Sequence, residues 1–267
     1  MRRTILLTAA LLAAAPSAHA WQDTEPATDW SALTLHQNEW RMGLFRGQYG
    51  ILEPLQIGTQ WLPWLLKVPN VDLKWTVWSD RTWSASVSGA FFTVNAQDFD
   101  KDAEDIQFTM VPIELTGSWR GDALAAHLRL SYTVVKTTGD ASVESADTDI
   151  KGVAAVSTGA LGLSGEWHLS RSFALVTELA ASIYQDAKAT GESSSQIDPR
   201  TTLELHAGGS ADLKSGRLAN GTLSAFWSWA TFNLKLGLGY GNYQVPTLHL
   251  FAGDPVVFPD LDMFWRF

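Results

Sequence analysis

Apolar and polar residues alternate one by one over long stretches of this chain, which is the pattern of β-strands with one apolar face. In the clearest case, residues 124–134, every second residue is apolar, and the residues between them include His127 and Arg129. No stretch keeps a helical period for long, so we predict an all-β protein. The candidate strands are 35–46, 51–61, 71–79, 83–95, 107–119, 123–135, 151–169, 173–186, 201–213, 218–229, 231–243 and 257–267.

The length of these strands favours a membrane location. They exceed the roughly 5–6 residues of typical soluble strands and match the roughly 9–11 residues that a tilted strand needs to cross a bilayer. Because lipid offers no hydrogen bonds to the backbone, such strands must close on one another. We therefore predict a transmembrane antiparallel up-and-down β-barrel of about 12 strands, with about 10 to 14 as the open range. A soluble β-sandwich is the competing interpretation.

The connections between the predicted strands conflict in part with a count of twelve. Short turns alternate with long polar loops, as in bacterial barrels that keep short turns in the periplasm and long loops outside. Strict threading of the twelve ranges would instead place loops 96–106, 136–150 and 186–200 on the periplasmic side. We therefore expect one strand to be missed or falsely split, either around 201–229 or near the N-terminus.

The tryptophans support the membrane interpretation, because most of them lie beside the short turns. Indole rings prefer the boundary between membrane and water and form a girdle there. The predicted girdle consists of Trp78, Trp83, Trp119, Trp167, Trp227, Trp229 and Trp265.

The N-terminus predicts export. Arg2 and Arg3 precede an apolar run over 5–15, which ends in small residues at Ala20. This is the pattern of a secretory signal peptide, here cut between Ala20 and Trp21. The predicted organisation is a signal peptide at 1–20, an N-terminal segment at 21–34 and a barrel at 35–267, integral to a bacterial outer membrane.

Composition narrows the function classes. The chain has 267 residues, no cysteine and a formal charge of −9. The missing cysteine excludes disulfides, thiolate metal sites and a cysteine nucleophile, and the negative charge argues against nucleic acid as a partner. We expect no cofactor and no metal site.

The C-terminal strand carries a family resemblance. Its last alternate residues, Leu261, Met263, Trp265 and Phe267, are apolar, and the final one is aromatic. This ending resembles the β-signal of Gram-negative outer-membrane β-barrel proteins. The resemblance implies insertion by the barrel-assembly machinery and contact with membrane lipid and lipopolysaccharide. It indicates no functional subfamily and no oligomeric state.

Polar side chains on the opposite strand faces are expected to line the barrel interior. They carry both charge signs, which favours an internal network of ion pairs because unpaired buried charge is costly. The same groups could line a narrow aqueous pathway that selects solutes by charge. The set is Arg41, Asp72, Lys74, Glu114, His127, Arg129, Glu166, Glu178, Glu204 and Lys235.

Catalysis has one weak candidate pair. His168 and Ser170 are two residues apart and share a strand face, within reach of a nucleophile–base contact. The pair resembles the His-x-Ser of outer-membrane phospholipases and lipid A deacylases, but it lies at a tight turn and faces inward. The leading interpretation is therefore a porin-like or structural barrel that is not an enzyme. The alternatives are a lipid hydrolase and a surface-loop binding protein or adhesin.

Overall fold

The computed structural model is a closed antiparallel β-barrel of 12 strands. It describes residues 28–95, 105–143, 148–198, 201–211, 218–245 and 250–267. The predicted signal peptide and the acidic part of loop 96–106 lie outside these ranges. Within them, no helix is long and apolar enough to cross a membrane.

The strands follow one another around the barrel in chain order. The wall is closed by pairing of the first strand with the last, through Arg41 with Arg266, Met42 with Trp265 and Gly43 with Phe264. One short helix, α1 (Trp61–Leu65), interrupts the β-structure. The strand segments are β1 (Trp40–Gly43), β2 (Arg46–Leu52), β3 (Leu55–Gln60), β4 (Asn70–Ser79), β5 (Trp83–Asn95), β6 (Asp105–Arg120), β7 (Leu124–Val143), β8 (Thr148–Ser170), β9 (Phe173–Asp198), β10 (Thr201–Ala211), β11 (Ala219–Ser228), β12 (Phe232–Val245) and β13 (Leu250–Arg266).

The predicted number of strands is confirmed, but the predicted ranges were wrong in two regions of the chain. Residues 35–61 form three short strands rather than two, because the chain turns again at residues 53–54. Conversely, β10 and β11 are two parts of one barrel strand, since both pair with β9, β10 along its second half and β11 along its first.

These two corrections remove the conflict in the threading. The short turns at 80–82, 121–123, 171–172 and 229–231 now lie at the same end of the barrel as the start of β1 and the end of β13. The strand ends that border residues 96–104, 144–147 and 246–249 lie at the other end, in agreement with the loop-length pattern of outer-membrane barrels. The predicted loops 136–150 and 186–200 were wrong over most of their length, because β7 runs to Val143, β8 begins at Thr148 and β9 runs to Asp198.

The alternating sequence places apolar side chains outside and polar side chains inside. On β4, Val71, Leu73 and Trp75 are exposed on the outer face, while Asp72 and Lys74 are buried inside. On β7, Leu128 and Leu130 are exposed, and the intervening His127 and Arg129 face the interior. A barrel with an apolar outer belt and a polar interior suits a bilayer around it.

The turn between β4 and β5 is fixed by one side chain. Asp80 accepts hydrogen bonds at 2.7 Å from the main-chain N–H groups of Thr82 and Trp83. These bonds, from Trp83 first and Thr82 second, lower the pKa of the exposed Asp80 carboxyl. The aspartate therefore stabilises the turn in its charged form.

The height of the wall is uneven around the barrel. β8 and β9 have 23 and 26 residues, whereas β1, β2 and β3 have 4, 7 and 6. At a tilt of about 40°, a strand climbs roughly 2.5 Å per residue. β1 thus covers only about 10 Å of the roughly 25 Å apolar band of such barrels.

Candidate functional site: the barrel interior and its plug

The interior is occupied by the chain's own N-terminal segment. Residues 28–35, here called the plug, lie inside the barrel and bond to several of its strands. The Ala32 N–H donates to Ser118 Oγ at 2.7 Å, and the Leu35 N–H donates to Gln56 Oε1 at 3.0 Å. The Thr76 hydroxyl donates to the Ala32 carbonyl at 2.8 Å. Contacts to β3, β4, β6 and β8 hold the plug across the lumen.

The plug reaches upward through Trp30. Its indole ring lies against Gly162, where an added Cβ would stand 2.5 Å from the ring carbon Cζ3. Glycine at this place makes room for the ring. On its other side the Arg129 guanidinium stacks over the ring, 4.0 Å from its centroid. A cation held over indole adds about 0.5–2 kcal/mol of attraction.

Glu166 anchors the first described residue of the plug. Its Oε1 accepts hydrogen bonds from the Thr28 N–H at 3.0 Å and the Thr28 hydroxyl at 2.6 Å. The Nε2 atoms of His127 and His168 both lie 3.3 Å from the Glu166 carboxylate. Glu166 is fully buried, so these polar partners are what make its burial tolerable.

Ser118, His127 and Glu166 form a serine–histidine–carboxylate chain, since His127 Nδ1 also lies 2.8 Å from Ser118 Oγ. This order of groups is used by hydrolases. Here the serine oxygen accepts the plug's Ala32 N–H. The three residues are 1%, 0% and 0% exposed, so solvent does not reach them while the plug is in place.

The remaining interior charges are arranged in ion pairs of opposite sign. Arg41 contacts Asp29 of the plug and Asp262, the latter at 3.0 Å. Lys235 lies 2.6 Å from Glu178 and 2.8 Å from Asp260. Further pairs join Arg46 to Asp72 at 2.5 Å, Arg129 to Glu114 at 3.0 Å and Arg266 to Glu39 at 2.6 Å. Such pairing offsets the cost of removing each charge from water.

A small apolar cluster lies in the interior near the end of the barrel that holds the short turns. Ala174, Val176, Phe226 and Phe264 are its buried members. The Arg41 guanidinium stands 3.6 Å from the centre of the Phe264 ring. The same arginine therefore joins the plug, the last strand and this cluster.

Nine of the ten expected interior residues have described side chains, and all nine face the interior. Lys74 donates to the Ser31 carbonyl of the plug. The side chain of the tenth, Glu204, lies outside the described residues. The sequence reasoning missed the plug itself, including Asp29, Trp30 and Ser31. The short polar stretch before β1 carries no alternation, and nothing in its composition distinguishes an inserted segment from a linker.

The weak catalytic candidates point to different partners. His168 Nε2 lies 3.3 Å from Glu166 Oε2, and Ser170 Oγ accepts the Ser172 N–H at 3.3 Å within the tight turn. In the described ranges, no cluster of three or more histidine, aspartate or glutamate side chains could hold a metal ion.

The predicted girdle residues lie at the end of the barrel that holds the short turns. Three of them, Trp78, Trp83 and Trp167, have about half of their surface exposed on the outside. Between β12 and β13, the Phe232 ring packs against the rings of Trp229 and Trp265, with ring centres 5.4 and 5.0 Å apart. The β-signal side chains of β13 also point outward, since Leu261, Trp265 and Phe267 are exposed.

Comparison with known proteins gives structural neighbours only. No protein-family model matches the chain, and no curated protein matches it. A deletion mutant of the monoaromatic hydrocarbon channel TodX aligns at 11% identity over 91% of this chain and 69% of its own, with a TM-score of 0.44. The ferric yersiniabactin uptake receptor FyuA from Yersinia pestis aligns at 13% over 79% and 33%, with a TM-score of 0.35. The outer membrane protease OmpT from Escherichia coli aligns at 9% over 88% and 98%, also at 0.35. All three likenesses have TM-scores below 0.5, and no particular subfamily is evident.

Proposed function

We propose that this protein is a porin-like outer-membrane barrel whose narrow solute pathway is shut by its own plug. The observation that carries the proposal is the insertion of residues 28–35 across the lumen, bonded to the wall through Glu166, Ser118 and Gln56. A permanently open porin has no use for a segment that fills its lumen.

The bonding of the plug suits a reversible closure. Most of its partners are polar or charged side chains of the wall, such as Arg41 and Lys74. These groups can bond to water once the plug leaves, so displacement exposes little apolar surface. The uncovered lumen would present both charge signs and select among small polar solutes.

Conductance in planar bilayers tests the proposal. We expect the full mature chain to open only in rare, brief events and a variant without residues 21–35 to show frequent discrete channel openings. The matched control lacks only residues 21–27 and should open as rarely as the mature chain, because it keeps the plug. Folding of each variant is checked by heat-modifiable migration on a gel. Steady conductance of the mature chain, or silence of the folded 21–35 deletion, would overturn the proposal.

We propose further that the protein is not an enzyme. His168 is engaged with Glu166, and Ser170 belongs to a turn. The buried serine–histidine–carboxylate chain bonds to the plug through its serine and supports a positioning role for these groups. Both observations favour the interior polar residues as wall and plug contacts.

We propose an outer-membrane location, with membrane lipid and the barrel-assembly machinery as partners. The apolar outer belt and the outward Leu261, Trp265 and Phe267 support contact with outer-membrane lipid and lipopolysaccharide. Their alternation at the chain end supports recognition by the barrel-assembly machinery. We propose that export precedes this step, with cleavage between Ala20 and Trp21.

A further inference from the structure

The outer half of the barrel wall is incomplete beside the last strand. β13 pairs with β1 only at residues 264–266, and the Leu44 N–H bonds to the Met263 carbonyl just above. No other described strand pairs with that edge of β13. Since about ten residues of a tilted strand cross the apolar band, roughly residues 255–265 of β13 lie in the membrane. Among the described residues, most of this stretch therefore has no strand beside it on the β1 side.

The sequence of β13 disfavours strand pairing at this edge. Odd-numbered residues turn their main-chain groups toward β1, as Phe267 does in its paired bonds with Trp40. Pro259 is one of these odd positions and has no N–H to donate. Pro255, also without an N–H, lies beside the register shift between Gly241 and Tyr243. Proline within a sheet belongs on an edge that does not pair.

The remaining donors of the edge are few. The Met263 N–H donates to the carboxylate of its neighbour Asp262 at 2.8 Å. Among odd positions from 255 to 263, only Val257 and Leu261 then bring an N–H to this edge. A bare strand edge is costly in lipid because each unpaired donor loses several kcal/mol. The two prolines and the Asp262 bond reduce that cost.

Large apolar side chains surround the gap. The tip of the β1–β2 hairpin forms the lower border of the gap, about half-way through the membrane. It exposes Leu44 and Phe45 there. Helix α1 lies directly above, because the Trp61 N–H donates to the Phe45 carbonyl and its indole N–H to the Gly43 carbonyl. The exposed apolar side chains of this helix and the residue after it are Leu62, Trp64, Leu65 and Leu66.

Both faces of β13 are open at the level of the gap. Successive strand residues point to opposite faces, so Val256 faces the interior and Val257 the outside. They are 48% and 70% exposed.

The lower border of the gap and the top of the plug lie at about the same height. Arg46, at the hairpin tip, is 3.5 Å from Asp29 of the plug. We propose that the barrel interior above the plug opens sideways through this gap and takes up an acyl chain of an outer-leaflet lipid. The apolar rim suits an acyl chain, and the prolines of β13 disfavour strand pairing with a second copy of the protein. The site is separate from the axial pathway.

Fluorescence quenching by lipid tests this site. The chain has no cysteine, so single-cysteine variants V256C and V257C can be labelled with bimane without further changes. The full mature protein is placed in phosphatidylcholine vesicles brominated at the middle of the acyl chain. We expect the inward label at residue 256 to be quenched within about twofold of the outward label at 257, since both would contact acyl chains.

The matched control is T158C, an inward position on β8, whose two neighbours β7 and β9 pair along both of its edges. Its label should be shielded from brominated lipid. The proposal is overturned if the label at 256 is as shielded as the label at 158, whether because the wall is closed there or because a second copy covers it. The quenching experiment does not depend on conductance. Failure of the lateral-gap proposal is therefore distinguishable from failure of the plugged-pathway proposal.

Discussion

The bond between Glu166 and the plug gives the sharpest quantitative expectation. Glu166→Gln preserves the size of the side chain and removes its charge. Two hydrogen bonds from Thr28 then become neutral. Bonds to a charged group contribute about 1.5–3 kcal/mol and neutral ones about 0.5–1.5, so the loss is about 1 kcal/mol per bond. The total of about 2 kcal/mol corresponds to a shift of about 30-fold toward the undocked plug.

Single-channel recording in planar bilayers measures this shift as the fraction of time spent open. We expect E166Q to open about 30-fold more often than the unsubstituted protein. The matched control is S164A, two residues away on the same strand, because Ser164 Oγ is buried and makes no hydrogen bond with the described residues. Equal open fractions in E166Q and the unsubstituted protein, with heat-modifiable migration intact, would refute the role of Glu166 as anchor. An equal effect of S164A would refute its specificity.

Two further expectations concern stability, measured as urea midpoints of refolded protein. Lys235→Met leaves two adjacent interior carboxylates without their cation and should cost about 3–5 kcal/mol, whereas Lys188→Met, at a 70% exposed side chain, should cost under about 1 kcal/mol; similar losses at both positions would contradict the ion-pair argument. The pKa of Asp80 is lowered on folding, so its stabilisation is present above its unfolded pKa of about 4 and fades as the pH falls through the lowered value. Asp80→Ala should therefore lower the midpoint at neutral pH and have a shrinking effect in acid, and a constant difference at all pH values would contradict this linkage.

The architecture was predictable because every strand has a membrane face. Alternation in residues such as Leu73, Lys74 and Trp75 records the two environments of the wall directly. The tryptophans beside short turns indicated the orientation, and the corrected threading agrees with it. The bounds of the first three strands were not predicted correctly, because segments of 4 to 7 residues are too short to show a clear period.

The contents of the interior were only partly predictable. The inward direction of Glu166 or Lys235 follows from strand parity, so the list of charged residues could be written from the sequence. Their partners could not, because parity says nothing about which strands face each other across a lumen. The plug was missed for the same reason: Asp29 and Trp30 are fixed by tertiary contacts with Arg41 and Gly162, which leave no local pattern.

The contact between β1 and β13 closes the barrel, and this seam sets an order of events in folding. It joins Arg41 to Arg266, a separation of 266 − 41 = 225 residues, through three register pairs. Contacts so distant in sequence form late, because the loop between them must be ordered first. The plug immediately precedes β1 and lies within the ring that this seam completes. Residues 28–35 must therefore be in place before β1 meets β13, or enter through the end of a finished barrel. Loading the plug and closing the wall are consequently linked steps of one assembly.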